Sequence, residues 1–163
     1  MPRSGGGEKS LLSRIKFFTL TLIILAGDQL SKNWVVLRLQ PGESWPLIDN
    51  VLHLTHVRNP GAAFGILAFR TSFFIIVSLL MIFLILSGER LFPRGNSLLH
   101  LGMSLLLGGA IGNLIDRIRF GYVIDFLDIR VWPVFNVADI ALVLGVIALG
   151  FGLHKIHFFS CSD

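Results

Sequence analysis

Residues 98–118 read LLHLGMSLLLGGAIGNLIDRI. Apart from His100 and Ser104 the run is apolar or glycine until Asn113, and no formal charge appears before Asp116 and Arg117. A helix rises about 1.5 Å per residue, so about 20 residues cross the hydrocarbon of a bilayer. The spacing therefore predicts a membrane-spanning helix over about 98–118 whose far end is polar. Gly108 and Gly112 stand in G-x-x-x-G spacing, a signal for close helix packing.

Outward from this segment the same pattern repeats. A further span is expected from near Asn136 to about Leu153, ending at His154-Lys155, and another over about Ser72 to Leu86. The first covers about Ile15 to Leu37, apolar at first but holding Asp28, Gln29, Ser31, Lys32 and Asn33 in its second half. Gly27-Asp28-Gln29 is a poor cleavage context, so this run reads as a retained span and not as a signal peptide. The fold class is membrane all-α, with four transmembrane helices. Residues 1–13 read as a flexible tail, 14–158 as one membrane-embedded domain and 159–163 as a C-terminal tail. Within the domain, 38–71 and 119–135 are the two outer connections. Val51 to Val57 has the alternation of a strand, with His53 and Thr55 opposite Leu52 and Leu54, although His56 falls on the apolar side. It predicts a small sheet outside the membrane.

Composition agrees. Of 163 residues 53% are hydrophobic and 15% charged, with mean hydropathy +0.75, whereas soluble domains carry about 25% charged residues. The net charge is +4, but the basic residues are dispersed without interleaved aromatics, which speaks against nucleic acid. Cys161 is the only cysteine, which rules out a disulfide within the chain and a thiolate metal cluster. His53 and His56 lie on opposite faces of the expected strand, and no metal-binding motif is present; neither a metal nor a cofactor is expected. Arg3, Lys9, Arg14, Lys16, Arg90, Arg94 and Lys155 fall on one side of the spans and are taken as cytoplasmic, placing both termini inside. Lys32, Arg38, Arg58, Arg70, Arg117, Arg119 and Arg130 fall in or beside the outer segments, several near acidic residues.

Ionisable residues inside a span are costly and usually face protein or a water-filled cavity. With four spans, Asp28, Asp116 and Asp139 fall at similar depth near the outer face. Asp28 and Lys32 form an i,i+4 pair, and Asp116 and Arg117 could neutralise each other or Asp28. An ion-pair lattice that pins the helices accounts for these residues without any chemistry. Asn136 and Asp139 have the spacing of a helix-capping box. Asp125 could be a plain loop acid, a role that suits Asp128 better. The alternative is that Asp125 and Asp139 meet: two close carboxylates share a proton, one activating water while the other protonates a peptide carbonyl. Intramembrane Asp and Arg also mark ion paths, so a small ion- or proton-coupled transporter stays open beside a peptidase, as does a lipid-binding scaffold.

Five motifs in order sharpen this choice. They are Asp28-Gln29 with Lys32, then Asn59-Pro60-Gly61-Ala62-Ala63-Phe64, then Gly108-Gly109-Ala110 followed by Gly112-Asn113-Leu114 and Asp116-Arg117, then Gly121, Val123 and Asp125-Phe126, and lastly Phe135-Asn136 with Ala138-Asp139. Together they closely resemble the bacterial lipoprotein signal peptidase (signal peptidase II) family, over about Ile15 to Leu153. The resemblance implies a membrane aspartyl endopeptidase of the bacterial inner membrane with its site near the periplasmic face. Its substrates would be diacylglyceryl-modified prolipoproteins, cut just before the lipidated cysteine, and globomycin-type cyclic peptides would inhibit it. It implies Asp125 and Asp139 as the catalytic dyad, with Asn59, Gly61, Asn113, Arg117 and Asn136 around it. Asp28, Lys32, Gly109 and Asp116 would be structural. It further implies an outer β-cradle and a mobile periplasmic arm. Membrane lipids are expected partners, and the protein is read as a monomer.

Overall fold

The computed structural model describes residues 5–61, 71–91 and 96–160, with side chains from 11 to 154 within those ranges. Helix α1 spans Gly5–Arg38, followed by strands β1 (Ser44–Ile48) and β2 (Leu52–Asn59). Helices α2 (Thr71–Leu91) and α3 (Ser97–Phe120), strand β3 (Val123–Asp128) and helix α4 (Val137–Ser160) complete it. The Ala62-Ala63-Phe64-Gly65 run lies outside the described residues. Four helices and a small sheet agree with the sequence reading, but α1 starts at Gly5, so residues 5–13 are helical where a tail was expected.

Among the described residues three helices are long and apolar enough to cross a membrane: α2, α3, and α4 over Val137–His154. The expected count was four. α1 falls short because Arg14, Lys16, Asp28 and Lys32 interrupt its apolar length. It nevertheless lies beside α3 and parallel to it. The Thr21 hydroxyl donates to the Ser104 carbonyl (3.4 Å), and Gln29 Nε2 donates to the Gly112 carbonyl (3.2 Å).

α3 is the central helix. Its apolar window is 72% buried, against 11% for α2, whose Phe, Ile and Leu side chains point outward as a lipid-facing surface requires. Glycines let two neighbours approach it. A Cβ at Gly108 would lie 2.9 Å from Ile24 Cβ, and one at Gly112 would lie 2.5 Å from Asp28 Oδ2. A Cβ at Gly102 would lie 2.7 Å from Leu149 N and one at Gly109 2.6 Å from Ala138 O, both on α4. The G-x-x-x-G pair thus receives α1, while Gly102 and Gly109 receive α4. Phe17, Ile85, Leu99, Met103, Leu106 and Leu107 form the apolar core toward the other end of the bundle. Asn96 caps the start of α3 by accepting from the N–H groups of Leu98 and Leu99. Gly121, at φ 80°, ends it in the left-handed conformation that favours glycine.

The sheet has the order β1-β2-β3, antiparallel throughout. An irregularity in β2 between Leu54 and Val57 breaks its alternation and lets His56 turn inward, with Nδ1 2.8 Å from the Leu39 carbonyl. Val35, Leu39 and Phe126 form a second apolar cluster that seats the sheet on the end of α1. Residues 123–128, expected as loop, are a strand.

Candidate active site

Each acidic residue is set by a different element. Asp125 lies in the middle of β3 opposite Val57. It is 2% exposed, so the loop-acid explanation fails. Asp139 lies in the first turn of α4, where a capping box forms as the spacing predicts. The Asp139 N–H donates to Asn136 Oδ1 (2.9 Å) and the Asn136 N–H donates to Asp139 Oδ2 (3.2 Å). The cap fixes where the Asp139 carboxylate stands.

Three asparagines join the two carboxylates. Asn59 Nδ2 donates to Asp125 Oδ2 (2.8 Å), and Asn136 Nδ2 donates to Asp125 Oδ1 (2.7 Å). Asn113 Nδ2 donates to Asp139 Oδ1 (2.9 Å), while its Oδ1 accepts from Asn136 Nδ2 (3.1 Å). The Asn59 amide is oriented by its own turn, because its Oδ1 accepts the Gly61 N–H at 3.0 Å and leaves Nδ2 for Asp125. Gly61 has φ 120°, and a Cβ there would lie 2.6 Å from the Phe74 ring. No other residue fits comfortably at Gly61.

Behind this row sits a buried cation. Lys32 Nζ is 2.8 Å from Asp28 Oδ2, 2.9 Å from Asp116 Oδ2 and 3.0 Å from Asn113 Oδ1. Its three N–H donors thus have three acceptors. Gln29 Nε2 also reaches Asp28 Oδ2 and Asp116 Oδ1, each at 3.1 Å. The same carboxylates tie the lattice to the site: Asp28 Oδ1 accepts the Ala138 N–H (2.9 Å), beside Asp139, and Asp116 Oδ2, besides meeting Lys32, accepts the Ile124 N–H (3.2 Å), beside Asp125. The ion-pair lattice exists, and it also positions both elements that hold the acids.

Arg117 takes a different place from the one expected. Its guanidinium lies over the Phe74 ring, 5.0 Å from the centroid, and it forms no ion pair with Asp116 or Asp28 among the described residues. Lys32 already occupies both carboxylates. Arg117 lies close enough to Asp139 and Asp125 to interact with their charges. Asp128 is not a plain solvent-facing acid either. It is 7% exposed, accepting from the Thr55 hydroxyl (3.0 Å) and the Arg130 N–H (2.8 Å). Gln29 and Thr55 were not singled out as partners, and neither shows a spacing that would reveal them.

Asp125 and Asp139 line one cavity of about 480 Å³, bounded by Arg58, Asn59 and Pro60 on one side and Trp132, Pro133 and Phe135 on the other. A smaller apolar cavity of about 320 Å³ adjoins it, sharing Trp132, Phe135 and Asp139 and extending along Ile140, Val143 and Leu144 of α4. Burial, with the Asp139 charge adding to it, pushes Asp125 up from the ordinary 3.8 to about 7, against the opposing hydrogen bonds from Asn59 and Asn136. A carboxyl that titrates near neutrality beside a second carboxyl is suited to proton transfer.

The family model described as signal peptidase (SPase) II matches residues 20–155. The chain belongs to the signal peptidase II family. It is 56% identical over 133 residues to a lipoprotein signal peptidase of Moorella thermoacetica, covering 82% of this chain and 89% of that one. A lipoprotein signal peptidase of Halothermothrix orenii is 47% identical over 133 residues, covering 81% and 90%. Among solved structures, a bacterial membrane enzyme determined in meso at 2.3 Å matches with TM-score 0.81 and 32% identity, covering 86% of this chain and 88% of that one. A second at 1.9 Å gives 0.78 at 32% identity, covering 85% and 92%. As a signal peptidase II, the protein is a multi-pass membrane enzyme of the aspartic protease class.

Because Gly109 and Gly112 face the two helices that flank the site, they give a direct test of its packing. Gly109→Ala places a methyl against the Ala138 carbonyl, which is backbone and must move with Asp139. We expect cleavage to fall about tenfold or more, and thermal stability by the ~1–3 kcal/mol typical of overpacking. Gly27→Ala, inside α1 with nothing within 4 Å, should leave cleavage unchanged and raise stability by about 0.5–1 kcal/mol, the helix-propensity difference. Parallel assays and unfolding curves of the two variants check this.

Proposed function

We propose that Asp125 and Asp139 are the catalytic dyad with which this signal peptidase II removes signal peptides from diacylglyceryl-modified prolipoproteins, cutting before the lipidated cysteine. The observation that carries the reading is the shared cavity in which Asp125, held near 7, faces Asp139. In the reaction Asp139 takes a proton from a water molecule as its oxygen attacks the scissile carbonyl. Asp125 donates its proton to the carbonyl oxygen. On collapse the C–N bond breaks, Asp139 returns a proton to the leaving amine, and Asp125 recovers its own from the hydroxyl. Asn113 and Asn136 hold the carboxyl groups through both steps, while Arg117 and the Lys32 cluster are positioning residues.

The apolar cavity along α4 would take the acyl chains or the apolar flank of the signal helix, with globomycin-type peptides competing for the same space. α1 serves as a fourth crossing: it parallels α3 over the same depth, and its charges are turned into the bundle at Asp28 and Lys32. Both termini then lie on the cytoplasmic side of the bacterial inner membrane and the dyad near the opposite face, in a monomer.

Mass spectrometry of a diacylglyceryl-modified prolipoprotein incubated with the purified protein, with and without chelator, tests the reading. One new product starting at the lipidated cysteine supports it, and an unchanged substrate refutes it. The pH profile gives a further check. Asp125 must hold its proton to act as the acid, and it holds it below about 7. Activity should therefore fall on the alkaline side through about pH 7. Stability follows the same sign: between 3.8 and about 7 the folded chain binds a proton that the unfolded chain has released. The contribution is complete below 3.8 and is lost as pH rises through 7. Thermal unfolding between pH 5 and pH 8 should show this slope, reduced in Asp125→Asn.

A further inference from the structure

The β1–β2 hairpin exposes an apolar surface that nothing in the catalytic scheme uses. Every residue of β1 is exposed, and Trp45, Leu47, Ile48 and Val51 are 39%, 56%, 55% and 57% exposed. Isolated exposed hydrophobes are ordinary, but four of them over seven residues of one edge hairpin form a patch, and patches of this kind mark interaction surfaces.

Its position identifies the partner. Trp45 packs edge-on against Trp34 of α1, with ring centroids 6.4 Å apart. The hydrogen bonds between α1 and α3 pair Thr21 with Ser104, Gln29 with Gly112 and Lys32 with Asp116, an offset of 83 or 84 residues. Trp34 therefore stands level with the last turn of α3, near Ile118, which is itself 65% exposed. That is the depth at which a spanning helix leaves the hydrocarbon, and where Trp is enriched because an indole has an apolar body and a polar N–H. Trp45 also keeps its N–H satisfied, donating to Glu43 Oε1 at 3.1 Å. The hairpin surface is thus continuous with the outward face of the bundle at its interfacial level.

We propose that the β1–β2 hairpin is an interfacial foot, with Trp45, Leu47, Ile48 and Val51 seated in the outer headgroup and upper acyl layer of the bilayer. The foot has a consequence for the site. β1 pairs with β2 and β2 with β3, so fixing the hairpin fixes the height of Asp125 above the hydrocarbon. A lipid-anchored substrate then meets the dyad at a set depth. This consequence rests on the function proposed above, whereas the foot itself rests on the hairpin geometry and on α3 crossing the membrane.

The test uses the full chain reconstituted into phosphatidylcholine/phosphatidylglycerol vesicles. Trp34→Phe with Trp132→Phe leaves Trp45 as the only indole. Its emission should be quenched at least twofold more by lipid brominated at acyl carbons 6 and 7 than by lipid brominated at 11 and 12. Aqueous acrylamide should quench it only weakly. A second variant adds Trp45→Phe and Leu47→Trp and should give the same order. Strong acrylamide quenching, with no response to either brominated lipid at both positions, overturns the foot. Cleavage is assayed separately on the chain with all its tryptophans, so a peptidase without quenching rejects only the foot, and quenching without cleavage rejects only the proposed function.

Discussion

Asp139→Asn and Asp125→Asn are each expected to lower cleavage of a lipidated prolipoprotein by about 10³-fold or more, within the range general acid–base groups supply. The substitutions keep shape and remove only the ability to exchange a proton. At 139 the backbone N–H of Asn136 and the amide of Asn113 donate to the two carboxylate oxygens. An amide can accept only one of these bonds, so the fold loses one hydrogen bond, about 1 kcal/mol with a larger penalty if the facing donor stays buried. At 125 the same conflict arises between Asn59 and Asn136. Both variants should therefore fold, with activity falling far more than stability. Asp128→Asn is the matched control on the same strand. Asp128 bonds to Thr55 and Arg130 and lines neither cavity, so its loss should change cleavage by less than fivefold. Initial rates by mass spectrometry with thermal unfolding of the same samples decide the matter. Retention of a tenth of the activity at either dyad position would sink the assignment.

The sequence could be read furthest where one helix carried the whole signal. The spans of α2, α3 and α4, the Asp28–Lys32 pair and the capping box at Asn136 are local relations with fixed spacing, and all of these stand in the structure. β3 was missed because Val-Ile-Asp-Phe-Leu-Asp is buried on nearly every residue, so its two faces do not alternate in polarity. β1 was missed for the opposite reason, since its apolar residues point outward and resemble no core strand. Arg117 over Phe74 and Asp128 beside Thr55 are contacts between distant segments, which no spacing encodes. The chemistry of Asp125 belongs to this second group: its raised pKa comes from burial and from Asp139 fourteen positions away. α1 shows the limit of counting apolar residues, because Asp28 and Lys32 are buried against each other and against Asp116 and Asn113 of α3.

Lys32→Met should be the most destabilising single substitution in the bundle. The Lys32 ammonium is 1% exposed and touches Asp28, Asp116 and Asn113, while Asp28 is 0% and Asp116 1% exposed. Methionine fills the space but leaves two carboxylates facing each other without a cation. Removing one partner from a buried ion pair costs about 3–5 kcal/mol, because the remaining charge has lost its compensation. For a chain of this size that corresponds to roughly 10 °C in Tm. Activity should fall with it, since Lys32 holds the Asn113 carbonyl whose amide nitrogen holds Asp139. The separation of charge from packing comes from adding Asp28→Asn and Asp116→Asn to Lys32→Met. If the penalty is uncompensated charge, the triple variant is more stable than Lys32→Met alone, even though it has lost more native groups. Thermal unfolding in one detergent compares the three proteins, and a triple variant less stable than the single one would assign the loss to packing instead.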